Sequence, residues 1–159
     1  MEQTLSPHGQ RFQEILRALG CAHQVMELPY STRTAAEAAH ALGCRVEQIA
    51  KSLVFRGTRT HKSLLIIASG GNRVNEQAME AYVGEPIEKA DAEFIRQRTG
   101  FAIGGVPPVG HAERLETLID KDLRQYEDIW AAAGTPNALF RLTFDDLVRM
   151  TDGRVVAVT

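Results

Sequence analysis

Residues 51–68 read KSLVFRGTRTHKSLLIIA, and this stretch decides the fold. The runs 51–56 and 63–68 are rich in Leu, Ile, Val and Phe, and the polar loop 57–62 separates them. Two such runs joined by a short glycine-containing loop predict an antiparallel β-hairpin. The second run has no polar alternation, which is typical of a central strand that is buried on both faces.

Helix signals lie on both sides of the hairpin. Ser6 followed by Pro7 is an N-cap with proline at the first helical position, and it predicts a first helix that ends at Gly20. Thr34 and Glu37 have the spacing of a capping box, so a short alanine-rich helix is expected from there to Leu42. The same reasoning predicts helices capped by Asn75 (through Tyr82), by Asp91 (through Arg98), and by Thr143 with Asp146 (to Gly153).

Further strands are predicted at 23–28, 101–103, 115–119, 128–133, 138–142 and 154–158. The run at 128–133 would also suit a helix, but the turn-like GTPN at 134–137 favours a strand. There is no internal repeat, low-complexity segment or linker. The fold class predicted is therefore α+β: a single domain over residues 1–159, with a mixed, largely central β-sheet flanked by helices.

Composition narrows the class of protein. The chain has 159 residues, of which 44% are hydrophobic and 24% charged, and its formal net charge is -2. This balance is that of a soluble globular protein and argues against a strongly basic nucleic-acid module, although a local basic patch is compatible with it. The apolar runs are too short for a membrane span and residues 1–10 do not resemble a secretory signal, so we expect a cytoplasmic protein, monomeric by default.

Several familiar chemistries lack their motifs. Neither a glycine-rich phosphate loop nor a nucleophile elbow is present. The five histidines, and the cysteines Cys21 and Cys44, do not have metal-ligand spacing, so we predict neither a metal nor an organic cofactor. The paired carboxylates at 120–122 and 145–146 are interpreted as turn and helix-start residues.

Lys51 and the segment GGVPPVGH at 104–111 are the features that suggest a site. Lys51 is either a solvated lysine at the start of a strand or a fixed positive charge in a cleft, where it would stabilise an oxyanion. The glycine–proline segment is either a tight connection or a loop that directs amides, such as those of Gly105 and Val106, at a ligand oxygen. The residues alone leave both alternatives open.

Three stretches together resemble the YbaK/prolyl-tRNA-synthetase-associated domain family of aminoacyl-tRNA deacylases. They are TAAEAA at 34–39 with LG at 42–43, QIAKSLVF at 48–55, and TGFAIGGVPPVG at 99–110. The tail, at 132–134 and 142–147, also matches, so the similarity runs from about residue 25 to the C-terminus. The lysine stretch and the Gly-x-x-x-Pro loop are specific only in combination.

The resemblance implies that the protein hydrolyses the ester between a wrong amino acid and the 3′-terminal adenosine of a tRNA. Relatives often act on tRNA for proline, and a small amino acid such as alanine or cysteine is expected. Lys51 aligns with the family's essential lysine. The substrate-binding residues implied are Gly104, Gly105, Val106, Pro108 and Gly110 of the loop, and the segment from Tyr30 to Thr34, which falls where relatives line the amino-acid pocket.

Family members use a hydroxyl or thiol of the substrate itself, so no protein nucleophile is expected. The implied partners are the 3′ end of aminoacyl-tRNA and a prolyl-tRNA synthetase. The hydrophobic pair Val106-Pro107 replaces residues that are often smaller or more polar in relatives, which leaves substrate identity open.

Other interpretations remain at this point. The chain could be a module that binds aminoacyl-tRNA or a synthetase without hydrolysis, or an esterase that acts on a small acyl substrate. The basic residues near the hairpin either contact the tRNA backbone or form a solvated face; they are Arg56, Arg59, Lys62 and Arg73.

Overall fold

The computed structural model describes residues 4–32 and 34–159. Its strands are β1 (Val25–Glu27), β2 (Ile49–Gly57), β3 (Ser63–Ser69), β4 (Ile87–Lys89), β5 (Glu116–Asp120), β6 (Ile129–Ala132), β7 (Ala138–Leu142) and β8 (Arg154–Val156). Its helices are α1 (Pro7–Ala18), α2 (Ala35–Leu42), α3 (Glu76–Val83), α4 (Ala92–Thr99) and α5 (Phe144–Thr151), with short 3-10 turns at Val46–Gln48 and Lys121–Gln125.

The strands form one mixed sheet in the order β1-β7-β6-β2-β3-β5-β8, and β4 pairs with the end of β2. The predicted hairpin is its centre, because β2 and β3 are antiparallel, with Lys51 opposite Ala68. On the outer sides β6 is parallel to β2 and β5 is parallel to β3. The α+β class with a mixed sheet is therefore confirmed.

Both faces of β3 are covered, as its apolar run predicted. Leu65 and Ile67 pack into a core that also includes Phe12 of α1. Leu64 and Ile66 pack on the other face against Met79 of α3 and its neighbours. All seven residues of β3 are buried. The hairpin is thus the rigid element on which the neighbouring loops are built.

The predicted caps are confirmed. The side chains of Ser6, Thr34, Asn75, Asp91 and Thr143 each accept a hydrogen bond from a backbone N–H in the first turn of the following helix. Some helix ends differ from the prediction by one or two residues. Helices α1, α3 and α4 end at Ala18, Val83 and Thr99, and α5 ends with Asp152 in the left-handed conformation (φ 52°) rather than at the glycine that follows it.

Some strand predictions were wrong or too long. Residues 101–103 form no strand: Phe101 packs edge-on against Phe12, with ring centroids 6.3 Å apart, and Ile103 enters a turn. Gly104 follows directly with a left-handed φ, and Gly105 packs against the backbone of Thr135. The segment therefore cannot continue as a hydrogen-bonded β-strand. The predicted strands at 23–28 and 154–158 are confirmed only over 25–27 and 154–156, and β4 was not predicted. In the parts of the chain that the structure describes, no helix is long and apolar enough to cross a membrane.

Candidate active site

A cleft with two lobes opens beside the start of β2. Both lobes share Lys51, Ser52 and Leu53 from β2 and Ile103, Gly104 and Val106 from the loop 101–111. The α2 lobe has a volume of about 540 Å³ and extends towards α2 and β7. The α3 lobe has a volume of about 360 Å³ and extends towards the start of α3 and the end of β4. The residues common to both lobes therefore form the junction where one ligand could occupy the two lobes at once.

Lys51 lies at this junction, half-buried, on a strand whose other side is fixed in the core. Burial lowers the pKa of its ammonium from the ordinary lysine value, and the charge of Asp120 opposes that shift. Desolvation strengthens the interaction of an ammonium with a ligand oxygen. The geometry therefore suits the alternative in which Lys51 is a fixed positive charge in a cleft.

Asp120 is the charged group behind the lysine. Only 1% of its surface is exposed, and it lies at the end of β5, next to the end of β3. Its carboxylate accepts hydrogen bonds from the backbone N–H of Ser69 (2.9 Å), from the side chain of Asn72 (2.8 Å) and from the N–H of Asp122 (2.9 Å). Three donors hold the carboxylate in one position and satisfy its buried charge. Asp120 is the last residue of β5 and caps the 3-10 turn that follows, as a helix-start residue would, but the sequence interpretation missed this electrostatic role.

Ser52 is a further polar group that sequence reasoning missed. Its hydroxyl oxygen is buried and has no hydrogen-bond partner among residues 4–32 and 34–159. Ser52 lines both lobes next to Lys51. A buried hydroxyl without a partner costs free energy, so this group is available for a ligand oxygen. The only signal in the sequence was a serine inside an apolar strand.

The loop 101–111 forms the opposite wall of the junction. Gly104 has φ +91°, which a side-chain-bearing residue rarely adopts. A Cβ on Gly105 would lie 2.8–2.9 Å from the backbone of Thr135, so the loop and the β6–β7 turn are in close contact. Val106 is 5% exposed and anchors the loop in the core.

The amides of this loop are not equally available. The N–H of Gly105 donates to the carbonyl of Ala102 (3.1 Å), which closes a turn. It is therefore not the free donor that the sequence suggested. The N–H groups of Gly104 and Val106 have no hydrogen-bond partner within the described ranges 4–32 and 34–159. Of the two amides suggested from the sequence, only that of Val106 is left to bind an oxygen.

The other predicted site residues lie in different places. Thr34 lines the α2 lobe while its hydroxyl caps α2 (3.1 Å to the N–H of Glu37). Tyr30 is 55% exposed and does not line either lobe. Pro108 and Gly110 lie on the far side of the loop, where a Cβ on Gly110 would come within 2.8 Å of Ile15 of α1. The structure thus brings Lys51, Gly104, Val106 and Thr34 together, with Gly105 packed behind them.

The wall of the α2 lobe is mainly apolar. Apart from Lys51, none of its described lining residues carries a charge. Its alanines are Ala35, Ala36 and Ala38 of α2 with Ala50, Ala132 and Ala138 of the sheet. Thr32, which belongs to the segment 30–34 implied for the amino-acid pocket, also lines this lobe and donates its hydroxyl to the carbonyl of Pro136 (2.9 Å). Residue 33 of that segment lies outside the described residues. Within the described residues no three His, Cys, Asp or Glu side chains are grouped closely enough to hold a metal ion.

Known proteins resemble this chain in sequence and in fold. The model of the family described as "Aminoacyl-tRNA editing domain" matches residues 30–150. A solved structure described as "a putative trans-editing enzyme for prolyl tRNA synthetase" is 46% identical, with a TM-score of 0.92 over 98% of this chain and 99% of the other. The Bacillus subtilis protein YwhH is 29% identical over 133 residues, 84% of each chain. The Enterococcus faecalis protein named "Putative Cys-tRNA(Pro)/Cys-tRNA(Cys) deacylase EbsC" is 23% identical over 79% of this chain and 77% of its own.

Proposed function

The chain belongs to the aminoacyl-tRNA editing domain family, and from that premise we propose that it is a trans-editing deacylase that removes a small wrong amino acid, such as alanine or cysteine, from tRNA for proline. The observation that carries this proposal is the position of Lys51 at the junction of the two lobes. Val106 also lines this junction, and its N–H has no partner among the described residues. The solved structure with a similar fold that is described as "a putative trans-editing enzyme for prolyl tRNA synthetase" supports the choice of tRNA.

The proposed reaction is ester hydrolysis at the junction. A water molecule adds to the carbonyl carbon, the bond from that carbon to the ribose oxygen breaks, and the ribose oxygen receives a proton. The products are the free amino acid and the tRNA. Negative charge develops on the carbonyl oxygen in the transition state, and Lys51 with the Val106 amide would stabilise it.

Selectivity is proposed to reside in the α2 lobe. Among the described residues its wall is rich in alanine and carries no charge other than that of Lys51, which suits a small apolar side chain and disfavours a charged one that would be desolvated without a partner. An apolar pocket separates side chains by only about 1–3 kcal/mol per methylene, so a second site that removes errors is useful to a synthetase. A protein with this role would act in the cytoplasm beside a prolyl-tRNA synthetase.

The test is a deacylation panel with Lys51→Ala. Purified protein is mixed with tRNA for proline charged with alanine, cysteine, serine or proline, and amino-acid release is followed. We expect selective release of one wrong amino acid, and a fall in kcat of about 100-fold or more in the variant, as for the loss of one oxyanion-stabilising group. Lys121→Ala, which removes an exposed lysine outside the cleft, is the matched control.

Three results would contradict the proposal in different ways. Normal turnover by correctly folded Lys51→Ala protein would remove the lysine from the mechanism. Saturable binding of aminoacyl-tRNA with no release above the uncatalysed rate would instead identify a binding module. Equal hydrolysis of small acyl esters and aminoacyl-tRNA would indicate a general esterase.

A further inference from the structure

The two lobes of the cleft differ in charge. The α2 lobe has Lys51 at the junction as the single charged residue of its described wall. The wall of the α3 lobe adds two cations, Arg73 and Lys89, and one carboxylate, that of Glu76. With Lys51 counted, the α3 lobe therefore has three positive charges and one negative charge. A substrate with a polyanionic end would place that end in the α3 lobe and its small apolar side chain in the α2 lobe.

Arg73 and Lys89 also differ from the basic residues around them. Arg56 is paired with Glu88, Lys62 with Glu116 (3.0 Å), and Arg98 with Glu113 (3.2 Å). In the described parts of the chain, 4–32 and 34–159, neither Arg73 nor Lys89 forms an ion pair or a side-chain hydrogen bond. Their charges are therefore available to a ligand, whereas those of their paired neighbours are partly neutralised.

Both cations are attached to well-fixed backbone. Arg73 follows Asn72, whose side chain donates to Asp120 (2.8 Å) and to Asp122 (2.8 Å). Lys89 is the last residue of β4 and lies opposite Phe55 of β2. Phe55 is four residues along β2 from Lys51, which is about 13 Å at the rise of an extended strand. The positive charges thus continue away from the junction in the direction of β2, as an extended polyanion would require.

We propose that Arg73 and Lys89 bind phosphate groups of the single-stranded 3′ end of the tRNA, so that the α3 lobe holds the nucleotide end and the α2 lobe holds the amino acid. The identity of the substrate in this assignment rests on the proposed function. The choice of lobe rests on the charges and positions of Arg73 and Lys89. Phosphodiester groups are bound by arginine and lysine through charge-assisted hydrogen bonds, and each contact adds to the salt dependence of binding.

The first experiment measures binding without turnover. A CCA-ended RNA hairpin is titrated with wild-type protein, Arg73→Ala, Lys89→Ala and the double variant over a range of salt concentrations. Each single substitution should weaken binding about three- to tenfold and reduce the slope of log Kd against log salt by about 0.7. Arg11→Ala, which removes an exposed arginine of α1 away from the cleft, should change neither quantity.

The second experiment separates this inference from the proposed activity. Deacylation is measured on aminoacyl-tRNA and on the corresponding aminoacyl-adenosine, which has no phosphate. The two variants should raise KM for the tRNA with kcat unchanged, and should behave as wild type on the nucleoside. Equal losses on both substrates, or a salt slope equal to that of Arg11→Ala, would overturn the assignment. If the wild type released no amino acid but the hairpin slopes changed as expected, the proposed function would fail and the phosphate site would stand.

Discussion

At the scale of single residues, the site depends on how burial and one carboxylate act in opposite directions on the pKa of one lysine. Burial lowers the pKa of Lys51 and Asp120 raises it. Asp120→Asn removes the raising effect, so the pKa of Lys51 should fall further. Because the proposed mechanism needs the ammonium form, we expect the alkaline decline of kcat to move to lower pH in this variant, after the uncatalysed rate is subtracted.

The control for this prediction is Asp122→Asn. Asp122 also accepts a hydrogen bond from Asn72, but Asp120 is the carboxylate that shifts the pKa of Lys51. A purely structural role for Asp120 would reduce activity equally at every pH, and an alkaline limb that coincides with that of the control would refute the electrostatic role. The pH profile therefore distinguishes charge from packing.

At the scale of elements, the loop 101–111 is held by contacts that leave no space behind it. A Cβ on Gly105 would come within 3 Å of the backbone of Thr135, so Gly105→Ala must displace the loop, the β6–β7 turn or both. A shift of about 1 Å at a reacting centre costs up to roughly 100-fold in rate. We expect kcat/KM to fall by about 10- to 100-fold in a protein that still folds, measured by deacylation with thermal unfolding alongside.

Gly100→Ala is the matched control for the loop. Gly100 ends α4 with φ +82°, so alanine there strains the backbone by about 1 kcal/mol, yet its Cβ would meet only Ala112 at 3.7 Å and does not line the cleft. The Gly100→Ala variant should be less stable than the wild type, while its kcat/KM should stay near the wild-type value. If both glycine variants lost activity in proportion to stability, the loop would have no specific role.

The elements that could be predicted from the sequence are those with local causes. The helix caps at Ser6 and Thr34 need only residues three positions away, and the hairpin 51–68 has apolar runs long enough to predict its strands. The three-residue strand β4 exists because β2 offers it a free edge, which no local pattern reveals. Lys89 was missed for that reason.

The site could be predicted only in part, because a sequence motif is local and the contacts between motifs are not. Lys51 and the loop 101–111 were identified through their motif, but only the tertiary structure shows that they line one cleft. Pro108 and Gly110 belong to the same motif and yet lie behind the loop, because the chain turns between Val106 and Gly110 to bury its proline pair. A motif specifies the residues of a loop and leaves open which of its sides faces the ligand.

At the scale of the whole molecule, the hairpin that supports Lys51 is closed at its far end by a buried carboxylate. Glu85 is 4% exposed and accepts hydrogen bonds from the N–H groups of Arg59 (2.9 Å) and Thr60 (3.0 Å) and from the Thr60 hydroxyl (2.7 Å). Its carboxylate also leaves no room for a Cβ at Gly57. These hydrogen bonds, those of Thr60 first, lower the pKa of Glu85 to about 2.

This depressed pKa makes the stability of the whole fold depend on pH in a defined direction. The ionised Glu85 stabilises the folded state fully above its unfolded pKa of 4.5, and that contribution is lost as the pH falls towards about 2. Glu85→Gln should therefore be less stable than wild type at pH 7. Between pH 4.5 and pH 2 its free energy of unfolding should fall less steeply, because about one proton fewer is taken up on unfolding.

Denaturant unfolding at a series of pH values measures both effects, with Glu80→Gln on the exposed face of α3 as the control. The free energy of unfolding of the control should equal that of the wild type and should change with pH at the same slope. Parallel curves for Glu85→Gln and wild type would mean that Glu85 closes the hairpin by shape alone. If the two curves instead converge at acid pH, the negative charge of Glu85 is what stabilises the closed hairpin. Protonation removes that charge from the wild type at acid pH, and the substitution has already removed it from the variant.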